Sequence, residues 1–314
     1  REAGCTATQE IALTLSNAIH YVREAISKGM AIDDFAPRIS FFFACHNNFL
    51  EEVSKFRAAR QLWYEMVEHE FSPSNPKSSQ LRFHTQTSGV TLTAQQPMNN
   101  AIRVSYQALS SVFGGTQSLH TNSFDEALGL PTDESARIAL RTQQIIAEET
   151  GVVDHIDPLG GSIVIESLTD SLIEDARILI NDIESMGGAM ECVKAGLQQR
   201  IIHESAWDQL RRVEGGEELV VGVNSHVDEG NPDFEGLVLD TKEAVRKASN
   251  LSEMKKNRDY SAVADSLLKI RECCRSDSNL MDPIISAVKA EATVGEINSI
   301  LREEFGTWVA PSGV

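Results

Sequence analysis

From Thr8 to Lys28 the apolar positions Ile11, Leu13, Leu15, Ala18, Ile19, Val22 and Ile26 recur at near-helical spacing, and Gly29 supplies a stop. The period then changes. RISFFFAC, residues 38–45, is too continuously apolar for an exposed edge and predicts a buried strand, ending in His46, Asn47 and Asn48. A long helix is predicted over 49–68, with Val53, Phe56, Ala59, Leu62, Trp63 and Met66 on its inner stripe. SPSNPKSS at 72–79 reads as a loop. Beyond it the pattern gives a strand at 80–85, an amphipathic helix near 99–112, a strand at 115–120 and a helix over about 133–149. Three βα units in succession imply a parallel sheet with right-handed crossovers. Three strands are too few to close an eight-stranded barrel, so the run is either the last part of one or a small open doubly wound sheet.

After Gly151 the character shifts. IDPLGGS at 156–162 is turn-rich, and a helix over about 169–186 ends at Gly187-Gly188. EELVVGVN (217–224) reads as a strand and GLVLD (236–240) as a short one, while 241–305 is mainly helical. Thr293 and Glu296 have capping-box spacing at the start of the last helix.

Two of the predicted strands run into hydrogen-bonding side chains. The first set is His84, Thr85, Gln86, Thr87 and Ser88, closed by Gly89. The second is Gln117, Ser118, His120, Thr121 and Asn122, followed by Asp125 and Glu126. A repeated order of strand, polar tip and helix is how a (β/α) barrel assembles a site at one end. His84 and Gln86 sit two apart on a strand and so project to one face, where a neutral His and a Gln can hydrogen-bond amides and carbonyls. A lone Arg such as Arg38, at the start of the FFF run, is ordinarily a solvated charge, although a guanidinium also suits bidentate contact with phosphate.

Composition narrows the classes. A net charge of −18 argues against a nucleic-acid binder but leaves room for a phosphate-tailed ligand, which needs only local cations. No apolar run approaches the roughly 18 residues of a membrane span, so no membrane partner is expected. Cys5, Cys45, Cys192, Cys273 and Cys274 lack metal-ligand spacing. Free thiols in a reducing, cytoplasmic compartment are therefore expected, and no metal site.

HTQTSG, LTAQQP, GGTQSLHTN and DEALGLPT, four adjacent motifs in order, resemble the substrate-binding barrel of the adenosylcobalamin-dependent acyl-CoA mutases. IDPLGGS, VVGVN and ATVGEI extend the resemblance, from REAG to EEFG. It implies an α/β fold: the C-terminal part of a (β/α)8 TIM barrel over residues 1–155, with earlier strands upstream of Arg1, then a mainly helical region over 156–314. Such a partial barrel is expected to leave Ile39, Phe41, Phe43, Leu81 and Phe83 partly uncovered.

The implied chemistry is a radical carbon-skeleton rearrangement with adenosylcobalamin (coenzyme B12). The commonest reaction in the family converts (R)-methylmalonyl-CoA to succinyl-CoA. Isobutyryl-CoA and 2-hydroxyisobutyryl-CoA are the alternative substrates. On the matching positions, His84 and Gln86 are the catalytic pair contacting the acyl group, and Gln117 is a further acyl-CoA contact. Arg38 and Ser40, in the APR-x-S segment, contact the coenzyme A tail. Gly89, Glu126 and Ala127 line the cobalamin and its adenosyl group, and Glu2 is another cobalamin contact, following a His expected before Arg1. Where the family often carries a cobalamin-touching Gln, this chain has Leu210, with Gln209 adjacent. No DxHxxG segment occurs, so the resemblance implies a B12-binding small subunit or domain as partner, and a G-protein chaperone as another. Two other readings compete: a barrel enzyme for a phosphate-tailed substrate without cobalamin, and a non-catalytic binding or assembly subunit.

Overall fold

The computed structural model describes residues 1–229, 241–276 and 278–311. Helix α1 (Ala7–Ser27) begins at Thr6, whose hydroxyl accepts from the Gln9 N–H while the Gln9 side chain accepts from the Thr6 N–H. This reciprocal pair satisfies two otherwise unpaired donors of the first turn. A short helix α2 (Ile32–Phe35) and a turn of 3-10 helix at Ala36–Arg38 lead into strand β1 (Phe41–Cys45). Helix α3 (Phe49–Phe71), strand β2 (Phe83–Thr87), helix α4 (Asn99–Phe113), strand β3 (Ser118–His120) and helix α5 (Asp133–Glu149) follow.

The strands form one parallel sheet in the order β1-β2-β3, with Phe41 opposite Phe83, Phe42 opposite His84, and Gln86 opposite His120. Alternation decides which side chains meet the helices. Phe41, Phe43, Cys45 and Phe83 pack into one core with Phe56, Leu62 and Trp63 of α3 and Ile11, Leu15 and Ile19 of α1. Phe41 meets Trp63 edge-on at 4.9 Å, and Phe56 stacks on Phe83 at 5.1 Å. The expectation of uncovered strand residues is thus corrected. Phe41, Phe43, Leu81 and Phe83 are buried and Ile39 is partly buried against the same core, because they face the helices. Phe42, on the other face, is 58% exposed.

β3 starts at Ser118 rather than at residue 115. Gly114 lies so close on the Phe56 ring that a Cβ would overlap it, and Gly115 takes φ +80°, so the chain turns there before it can pair. Among the described residues the sheet has these three strands and does not close.

Along the edge of β1 that no strand occupies among the described residues, side chains meet the backbone of Ala44. The Ala44 N–H donates to Glu10 Oε1 (2.9 Å) and the Ala44 carbonyl accepts from Lys55 Nζ (2.5 Å). Lys55, fully buried, also pairs with Glu10 Oε2 (2.6 Å) and Glu52, and Arg1 pairs with Glu52 Oε1 (2.6 Å). Burial alone would lower the Lys55 pKa; the carboxylates of Glu10 and Glu52 outweigh it, and the pKa is raised.

Helix α6 (Ile163–Ser185) places Leu172, Ile173, Ala176 and Ile180 in the same core, and α7 (Ala189–Lys194) and α8 (Leu197–Glu214) complete this part. Residues 217–224 are not a strand. The Asn224 side chain accepts from the Val220 N–H (2.7 Å) and donates to the carbonyls of Val213 and Glu218, and only a single bridge joins Val221 to Ser225. These contacts take backbone groups that a strand would have needed. The strand expected at 236–240 falls outside the described residues.

Compactness divides the chain into one unit within residues 1–229 and a second within 241–310, and in the first α6 shares the core of α1 and α3. The second unit holds α9 (Thr241–Asn257), α10 (Tyr260–Cys274), α11 (Met281–Lys289) and α12 (Val294–Phe305), packed around Val263, Ile270, Ala287 and Ile297. The Thr293–Glu296 capping box forms, and Glu296 also pairs with Arg258. Among the described residues no helix is long and apolar enough to cross a membrane.

Candidate active site

The helix-free face of the sheet carries Phe42, His84, Gln86, Ser118 and His120, as strand alternation requires. His84 and Gln86 project together from β2. His84 Nδ1 lies 2.7 Å from Ser118 Oγ, and its ring is 5.2 Å from that of Phe42. Partial burial and the neighbouring His120 lower the His84 pKa, so the ring is neutral at pH 7. Its second nitrogen has no protein partner among the described residues. The Gln86 amide donates to Asn122 Oδ1 (3.3 Å), which fixes which end of that amide faces the open side. Thr85 and Thr87, in the same polar run, point the other way: Thr85 bonds Thr116, and Thr87 accepts from the Asn122 N–H.

At the carboxyl ends of the strands a second group forms around Gly89. A Cβ on Gly89 would lie 3.1 Å from Asn122 Nδ2 and 3.4 Å from Glu126 Oε1. Asn122 Nδ2 is buried and has no hydrogen-bond partner. Glu126 and Ala127 are exposed beside it. Glu2 reaches this loop, accepting from Ser88 Oγ (2.7 Å), Gly89 N–H (3.0 Å) and Val90 N–H (2.9 Å). Three converging donors around one carboxylate form an anion nest filled by the chain itself.

Arg38 and Ser40 lie at the opposite, amino-terminal end of β1, both exposed and without a side-chain partner among the described residues. Arg82 joins them there. It precedes β2, donates to the Pro37 carbonyl and has no carboxylate within ion-pair distance among the described residues. Sequence reasoning missed Arg82, yet the same two-residue alternation that links His84 to Gln86 extends back to it. Gln117 is held by the backbone, accepting from the Phe83 N–H (2.7 Å) and donating to the Gly115 carbonyl (2.6 Å). Leu210 is exposed on α8, and the Gln209 amide donates to Glu218 (3.4 Å). The structure therefore joins His84 to Gln86, and Gly89 to Glu126 and Glu2, while Arg38 and Ser40 stand apart at the far end.

His46, just after β1, is buried with Nε2 unpartnered. Desolvation and the nearby Arg1 push its pKa down to about 3 from an ordinary 6.5. The unfolded chain then takes up a proton near pH 6.5 that the folded chain refuses, so this group withdraws stability as the pH falls. Between pH 6.5 and about pH 5 the loss should be about 1.5 kcal/mol. Paired melts of the wild type and His46→Asn at the two pH values check this, and equal slopes would remove His46 as the cause.

The sequence profile of the methylmalonyl-CoA mutase family matches residues 1–307. The chain belongs to the methylmalonyl-CoA mutase family. It is 47% identical over 313 residues to the methylmalonyl-CoA mutase of Rhizobium meliloti, covering 99% of this chain and 44% of that protein. It is 45% identical over 308 residues to the mitochondrial methylmalonyl-CoA mutase of Homo sapiens, covering 98% of this chain and 41% of that protein. With a probable mitochondrial methylmalonyl-CoA mutase of Caenorhabditis elegans the identity is 43% over 311 residues. The chain thus spans less than half the length of these family members.

Proposed function

We propose that this chain is the acyl-CoA-binding part of an adenosylcobalamin-dependent mutase that interconverts methylmalonyl-CoA and succinyl-CoA. The observation that carries this reading is one open sheet face with three chemistries along it. Arg38 and Arg82, guanidinium groups with no carboxylate partner among the described residues, stand at its amino-terminal end. The neutral hydrogen-bonding pair His84 and Gln86 occupies the middle. The Gly89, Asn122 and Glu126 group lies at its carboxyl-terminal end. Arg82 precedes Gln86 by four residues, about 13 Å along the strand, so an extended arm can run from a phosphate at one end to a thioester at the other. A parallel sheet covered by helices on one face and polar on the other fits a sector of a (β/α)8 barrel over residues 1–155, with a mainly helical region beyond it. The names of the relatives favour methylmalonyl-CoA over isobutyryl-CoA or 2-hydroxyisobutyryl-CoA.

The residues at the carboxyl end fit a large planar cofactor. Only hydrogen occupies the Cβ position of Gly89, the unpartnered Nδ2 of Asn122 lies against it, and the exposed Glu126 can bond ribose hydroxyls. Ala127 adds a small side chain beside them, and Glu2 holds the Gly89 loop in place. When bound, adenosylcobalamin supplies the radical chemistry. The protein's share is orientation. The Ser118 hydroxyl can donate to His84 Nδ1, leaving the other ring nitrogen as a donor to the thioester carbonyl, and Gln86 offers its amide beside it. Ser40 and Gln117 flank the arm. A B12-binding small subunit or domain and a G-protein chaperone are the partners of this reading. Five free thiols suit a cytoplasmic, reducing setting.

The test is conversion of methylmalonyl-CoA to succinyl-CoA by the complete protein with its B12-binding module, with and without adenosylcobalamin. Conversion that ignores the cofactor would end the proposal. Arg38→Ala should raise KM for acyl-CoA about tenfold with kcat little changed, because the tail is bound equally in ground and transition states. Steady-state kinetics decide it, and an unchanged KM removes Arg38 from the site.

A further inference from the structure

Gln107 sits on the inner face of α4 between Val104 and Ala108 and is 0% exposed. Its Oε1 accepts from the Ser88 N–H (2.9 Å), which is shared with the Cys45 carbonyl at the end of β1 (2.9 Å), and its Nε2 donates to Asn47 Oδ1 (2.6 Å) and Thr91 Oγ1 (2.7 Å). Its backbone carbonyl accepts from the thiol of Cys45 (3.2 Å) and the hydroxyl of Ser111 (2.9 Å). Asn47 follows β1, while Ser88 and Thr91 bracket Gly89. One buried amide thus ties the exit of β1 to both sides of Gly89 in the loop after β2. Glu2 takes the donors left over, Ser88 Oγ and the N–H groups of Gly89 and Val90. An apolar side chain would fill this place on α4 without the desolvation of an amide, so the polar choice implies that geometry is being specified.

We propose that Gln107 is a positioning residue that sets the height of the Gly89 backbone against the β1 exit, and thereby the affinity for the cofactor. This rests on the reading above that the cofactor lies over Gly89. Being fully buried, Gln107 touches neither cofactor nor acyl group. Its effect passes through Ser88 and Thr91, and Thr91 in turn donates to the Ser88 carbonyl (2.7 Å). His84 lies four residues before Ser88 on β2 and is anchored separately, by Ser118. Acyl-CoA affinity should therefore be spared when the loop moves.

The experiment titrates adenosylcobalamin into the complete enzyme, following the absorbance of bound cofactor, and measures KM for acyl-CoA at saturating cofactor. Gln107→Met removes all three side-chain bonds at similar volume and should weaken cofactor binding about tenfold, with KM within about twofold. Thr91→Val, at a half-buried site, should weaken the cofactor about threefold. If Gln107→Met does not fold, Thr91→Val decides alone. Cofactor affinity unchanged in the folded variants overturns the proposal, and so does an equal rise in KM, which would mean general loosening. Gly89→Val separates the two levels. If it loses cofactor while Gln107→Met does not, positioning fails and the site reading stands. If Gly89→Val binds cofactor normally, the site reading itself fails.

Discussion

Lys55→Met should destabilise the unit within residues 1–229 by about 3–5 kcal/mol, because it leaves a buried carboxylate without its counter-charge. Arg1, Lys55, Glu10 and Glu52 sum to zero, and all are buried or nearly so around the free edge of β1. Methionine matches the lysine stem but gives the cluster a net charge of −1 and strips the Ala44 carbonyl of its donor. The loss should appear as an earlier denaturant midpoint in the intact protein. Adding Glu10→Gln to Lys55→Met should recover much of it, since Glu52 keeps Arg1 and a glutamine oxygen can still accept from the Ala44 N–H. A midpoint unchanged in the single variant, or a double variant worse than the single, would show that the cluster's charge balance does not hold the edge.

His84→Ala should lower kcat at least about tenfold, a loss on the order of 1.4 kcal/mol of transition-state stabilisation. Groups that position a reacting carbonyl act through near-attack geometry, where small displacements are costly in rate. The fold should survive, because His84 stands on the open face outside the aromatic core of Phe43, Phe56 and Phe83. Ser118→Ala should give a smaller effect of the same kind, since that hydroxyl orients the His84 ring and reaches no substrate in this reading. Turnover within twofold of wild type in a folded His84→Ala protein would return His84 to a structural role.

Much of this was legible because it depends on neighbours a turn or two away. Periodicity located α1 and α3, residue spacing alone gave the capping box at Thr293 and Glu296, and two-residue alternation placed His84 and Gln86 on one face. The motifs around Gly89 and Glu126 pointed to the group that the structure gathers there.

Other features had no local signal. In the unbroken run FFFAC nothing marks which phenylalanine faces the helices, since all three are apolar, and only the packing of α1 and α3 singles out Phe42 as exposed. Lys55 and Gln107 carry no local mark of burial, yet each is fully buried because its partners arrive from far along the chain: Glu10 for Lys55, Ser88 and Asn47 for Gln107. VVGVN has the composition of a strand, but the Asn224 side chain takes the Val220 N–H and the Glu218 carbonyl, groups that a neighbouring strand would have used. Sequence fixes what a residue can bond within its own turn or strand. Which edge, face or buried amide is completed by a side chain tens of residues away is decided only when the elements pack, because desolvation then forces each stranded polar group to find a partner.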